Sequence, residues 1–135
     1  MATLFALLGG CGSAPSGPMP ALSFPATPFE TVVSSMGLLH VDVRWSPAAP
    51  IKGDNAAQLT FSDPLGNAID GLSVVVTPWM PAHGHGTSIQ PATAPTGPGV
   101  LVATPVYLFM SGEWQLRMAI TGTVNDSAVA TVQIP

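Results

Sequence analysis

The stretch "LLHVDVRWS", residues 38–46, decides the fold. Leu39, Val41, Val43 and Trp45 fall on one side of an extended chain, and His40, Asp42 and Arg44 on the other. That period of two marks a half-buried strand, because successive side chains of a strand point to opposite faces. Working outward, "ETVVSSM" (30–36) precedes it as a further strand, and "QLTFS" (58–62) follows after the loop "PAAPIKGDNA". "LSVVVTPWM" (72–80) is the most apolar stretch and is expected in the middle of a sheet. "VLVATPVYLFM" (100–110) is extended but contains Pro105, which implies a bulge or an edge position. "WQLRMAIT" (114–121) and "SAVATVQI" (127–134) complete the set, and "SIQPATAPTGPG" reads as a Pro-rich connection. These are about seven strands with frequent turn signals, the pattern of an all-β, immunoglobulin-like antiparallel β-sandwich.

Composition supports one domain and excludes several function classes. The chain has 135 residues, 14 Gly and 15 Pro, too many breakers for long helices. Its hydrophobic fraction of 47% is enough for a core. Charged residues make up 7%, well below the roughly 25% usual in soluble domains. Three Lys and Arg residues cannot build a phosphate-binding surface, so nucleic acid is not an expected partner.

The N-terminus carries a separate message. Residues 1–10, "MATLFALLGG", form a short apolar run with the character of a secretory signal, and "LGGC" (8–11) resembles a bacterial lipobox. That resemblance implies cleavage before Cys11 and lipid attachment to it, with residues 12–28 as a Pro/Ser/Gly/Ala-rich tether. A sandwich domain over 29–135 then faces the periplasm or the cell exterior on a lipid anchor. Cys11 is the chain's one cysteine, so no disulfide within the chain supports the domain.

The candidate site is "TPWMPAHGHGT", residues 77–87. Met80, His83 and His85 put a thioether and two imidazoles within six residues, donors that suit reduced copper better than hard cations. In an extended segment His83 and His85 would point the same way. Gly84 and Gly86 remove bulk and permit positive φ, and Pro81 holds Met80 extended. Met110 is the best remote fourth donor, since it ends a strand just before the "SGEW" turn. Met118 lies with the inward set and reads as core, while Met36 and His40 sit on other elements. A loop with two imidazoles and no metal is the plain alternative.

"PWMPAHGHGT" followed by "VYLFMSGEWQLRMAI" resembles the YtkA-like/FixH-like group of extracytoplasmic sandwich domains. The resemblance covers roughly residues 38–134 and implies copper handling or maturation of haem–copper oxidases, with a membrane metalloprotein or copper transporter as partner. It carries over Met80, His83, His85 and Met110 as ligands, and Gly112 and Trp114 as structural positions of the turn. An N-terminal lipid in place of the membrane helix of FixH-type proteins is a departure from that group.

Enzyme chemistry is not expected. No "GxSxG" elbow is present, and the seven carboxylates are spread through turns. Asp42, beside His40 and Arg44, reads as a solvated strand face. "NDS" (125–127) reads as a turn, and Trp45, Trp79 and Trp114 as packing, with Trp79 placed to contact a bound cation. The expected function is a non-enzymatic copper-binding lipoprotein. The alternative is a structural or protein-interaction module of the envelope.

Overall fold

The computed structural model describes residues 22–135, which form two antiparallel sheets and no helix. One sheet has the order β1-β2-β3-β7-β6, built from Glu30–Val33, His40–Ser46, Gly53–Ser62, Val100–Leu108 and Ala92–Gly97. The other has the order β5-β4-β8-β9, built from His85–Gly86, Leu72–Met80, Gly112–Gly122 and Asp126–Ile134. This is the expected antiparallel sandwich, with nine strands in place of about seven. Cys11, the segment 1–10 and most of the tether lie outside the described residues.

Alternation builds the core. Leu39, Val41, Val43 and Trp45 are all buried, as the opening stretch predicts. They meet Trp114, Leu116, Met118 and Ile120 of β8 and the inward residues of β9 across the gap between the sheets. Each large apolar side chain buried there contributes about 1.5–3 kcal/mol, so a chain with few ion pairs can still hold its fold. Met118 is core, as expected.

Two added strands correct the reading from sequence. β6 lies within the stretch read as a Pro-rich connection, and β5 is a two-residue pairing opposite the end of β4. β6 tolerates Pro95 because it is an edge strand, with no second partner to receive a backbone N–H. β3 also begins earlier than expected, at Gly53. Buried Asn55 makes this possible: its side chain accepts from Ile51 N and donates to the carbonyls of Ile51 and Gly53. Pro105 stands where the β3–β7 register shifts between Asn55 and Ala57, one of the two positions its presence implied.

β4 is less central than its hydrophobicity suggests. β8 pairs with it along its length, whereas β5 covers only Trp79 and Met80 on the other side. The remaining edge is closed by side chains. Gln90 donates to the Val76 carbonyl at 2.6 Å, and Thr93 donates to the Val74 carbonyl at 3.0 Å. Those bonds satisfy edge carbonyls that would otherwise recruit another strand.

The face read as solvated is partly covered. Arg44 donates to the carbonyls of Pro25 and Ala26, at 3.1 and 3.0 Å, and so holds the chain before β1 across β2. Asp42 accepts from Thr31 Oγ1 at 2.7 Å and lies 3.9 Å from the Arg44 guanidinium.

Candidate functional site

The histidine loop is a tight turn between β4 and β5. The Met80 carbonyl accepts from His83 N at 3.2 Å and from Gly84 N at 3.0 Å, which folds the chain back within five residues. Gly84 has φ +65°, a left-handed conformation that favours glycine. The loop is therefore not extended, and the expected i, i+2 geometry does not apply. The turn itself brings the imidazoles together, with ring centroids 5.6 Å apart and planes 29° from parallel.

The two glycines act differently, which corrects their shared role in the sequence reading. Gly84 supplies the positive φ, but Gly86 has ordinary backbone geometry. A Cβ at Gly86 would lie 2.5 Å from the Pro78 carbonyl oxygen, so glycine is required there for close backbone approach. That approach lets β5 pair with Trp79 and Met80.

Met80 and His85 are Cα partners in this short ladder. Directly opposed residues of an antiparallel pair project to the same face, so the His85 ring stands on the core side with the Met80 thioether. Met80 is 1% exposed, His85 half-buried, and His83 open to solvent. His85 Nδ1 donates to the Gly86 carbonyl at 3.1 Å, since a carbonyl can only accept. That bond fixes the tautomer and leaves the Nε2 lone pair free for an ion or a donor.

Met110 reaches the same pole by way of its neighbour. The Phe109 ring stacks on His85 at 5.9 Å and meets the edge of Trp114 at 5.5 Å. Trp114 Nε1 donates to the Met110 carbonyl at 2.9 Å, which closes the turn from β7 into β8. Gly112, the first residue of β8, lies against the Met80 methyl: a Cβ there would be 2.7 Å from Met80 Cε. Segment 109–112 thus packs on both His85 and Met80. Phe109 is the part that sequence reasoning missed, and its position beside Met110 was the available signal.

Other candidates separate from this pole. Met36 is 70% exposed in the β1–β2 turn, and His40 pairs with Ser62 in the other sheet. Trp45 and Trp114 are buried, but Trp79 is only half-buried. The Arg117 guanidinium lies 4.7 Å from the centre of the Trp79 ring, so the chain's own cation already covers a face of that indole. Among the described residues no three His, Cys, Asp or Glu side chains gather as a metal-holding group. An ion here would need the thioethers to complete its coordination. Two imidazoles on one tetrahedral ion, at metal–nitrogen distances of about 2.0–2.1 Å, have centroids roughly 5 Å apart. The observed 5.6 Å is close to that spacing, but the stacked rings would have to turn before both in-plane lone pairs met one ion.

A sequence model of the family described as YtkA-like matches residues 38–119, more than half of the chain. The match runs from the start of the β2 region into β8 and includes the histidine loop and the Phe109–Gly112 turn. No curated protein and no solved structure matches the chain significantly.

Proposed function

The chain belongs to the YtkA-like family, and from that premise we propose a non-enzymatic cell-envelope lipoprotein that binds copper or another soft metal. The metal is cargo, held by His83 and His85 with the Met80 and Met110 thioethers, and Cys11 is the lipid attachment point. The observation that supports this most is the pairing of Met80 with His85 at the base of a turn that also brings in the His83 ring.

The donor chemistry favours the reduced ion. Among the described residues the two imidazoles gain no third nitrogen or carboxylate, which leaves too few hard or borderline ligands for Zn²⁺ or Cu²⁺. Thioethers add little for those ions and much for Cu(I). Such a site suits copper handling outside the cytoplasm, including supply to a membrane metalloprotein, a transporter or a haem–copper oxidase under assembly.

The test is methionine-methyl and imidazole NMR on the full chain carrying Cys11→Ser, so that no thiol competes. Added Cu(I) is expected to shift the ring signals of His83 and His85 together with the methyl signals of Met80 and Met110. Imidazole shifts without any methionine response would reduce the site to a histidine pair. A second reading, an envelope interaction module without metal, draws on the near-complete burial of Met80 in the core. It predicts that Cu(I) leaves all of these signals unchanged.

A further inference from the structure

We propose that the cleft between the two sheets at the pole opposite the histidine loop binds a small amphiphilic amine, an apolar body bearing one protonated nitrogen. The cleft opens where β4 begins, whereas the histidine turn lies where β4 ends. Nine residues at about 3.3 Å each separate the two regions by the length of the sandwich. The proposal is therefore independent of the metal reading.

The cleft has a volume of about 350 Å³. Its walls are apolar, from Leu72 of one sheet, Leu101 of the other and Ile69 of the loop between β3 and β4, with the fully buried Phe61 ring behind them. A cavity of about 150 Å³ lined by such side chains accepts benzene, so this one has room for a ring and a short chain.

Backbone contacts hold the cleft open. The Gly99 carbonyl accepts from Phe61 N at 2.8 Å, and the Phe61 carbonyl accepts from Ile69 N at 3.1 Å. Thr123 N and Oγ1 donate to the carbonyls of Gly71 and Asp70, at 3.3 and 2.8 Å. At Gly99 (φ +68°) a Cβ would come within 2.9 Å of the Phe61 carbonyl oxygen, so no side chain stands at that wall. The walls are fixed before any ligand arrives, the usual condition of a small-molecule site.

One group sets the ligand's charge. Asp70 is the charged residue among those lining the cleft. It is exposed, and its Oδ1 accepts from Gly99 N at 3.5 Å, the outer limit of a hydrogen bond. The carboxylate therefore keeps acceptor capacity for an ammonium at the rim while the apolar body fills the space below.

The experiment is amide NMR on the full chain titrated with phenethylammonium and, separately, with its neutral analogue 2-phenylethanol. Saturable shifts are expected at Asp70, Gly99 and Leu101, with the alcohol binding about tenfold more weakly because it lacks the ion-paired hydrogen bond. Asp70→Asn should bring the amine down to the affinity of the alcohol, and Leu72→Trp should abolish both by filling the space. Absence of saturable shifts at these amides would overturn the proposal. So would equal affinity for amine and alcohol, or an amine preference that survives Asp70→Asn. Asp70 lies at the exposed rim, so its variant reads out even if Leu72→Trp does not fold.

Discussion

Met80 and Gly112 touch across the sandwich pole, with the thioether methyl occupying the place a Cβ of residue 112 would need. The contact joins the end of the strand before the histidine turn to the start of the strand after Phe109–Met110. It makes the candidate site and the core one packed unit.

Gly112→Ala tests this directly. The new methyl meets Met80 Cε at 2.7 Å, and residue 112 has φ +125°, where an alanine is strained. The expected cost is about 1–3 kcal/mol of stability, from overpacking and backbone strain together. Urea denaturation followed by Trp fluorescence measures it. A neutral result would mean that Met80 is free to move aside.

Phe109→Leu separates support of the site from stability of the fold. The ring stacks on His85 and Tyr107 and meets Trp114 edge-on. Leucine keeps an apolar plug but loses aromatic contacts that contribute about 0.5–1.5 kcal/mol each. The protein should stay folded by circular dichroism, while the His85 ring signals shift and broaden in NMR. Unchanged His85 signals would show that the stack does not position the imidazole.

Asp126 predicts an acid limit to stability. Burial works to raise its pKa, but the neighbouring Ser34 hydroxyl and the hydrogen bonds that the N–H groups of Ser127 and Met36 donate to Oδ1, at 2.7 and 3.0 Å, outweigh it. The carboxyl therefore sits below the ordinary 3.8. A depressed folded-state value means that the native protein favours the ionised form. This contribution is fully present above the unfolded-state pKa and is lost as pH falls through the folded-state value. Melting temperature should drop on acidification below about pH 4, and Asp126→Asn should flatten that drop. The same slope in the variant would assign the acid sensitivity elsewhere, for instance to Asp63, which the Asn67 amide groups also hold low.

What the sequence made legible follows from what period-two patterning can encode. Leu39–Trp45 and Trp114–Ile120 alternate cleanly because one face meets the core and the other meets solvent. β6 was hidden because an edge strand tolerates Pro95 and has little side-chain burial to pattern it. β3 began unseen at Gly53 because the signal there is carried by small Ala56 and Ala57 and by the buried amide of Asn55. At the site, Met80, His83 and His85 were legible because they are neighbours in the chain. The place of Phe109 was not, since stacking across two loops depends on how β7 hands over to β8.

The most direct measurement is a Cu(I) titration of the full chain carrying Cys11→Ser, against a chromophoric competing chelator. One Cu(I) per chain is expected, with affinity reduced at least about 100-fold in the His83→Ala/His85→Ala variant. That is the upper end of the loss from removing a group that merely supports a ligand. Failure of the parent chain to take copper from the chelator, or an affinity unchanged by the double substitution, would contradict the assignment.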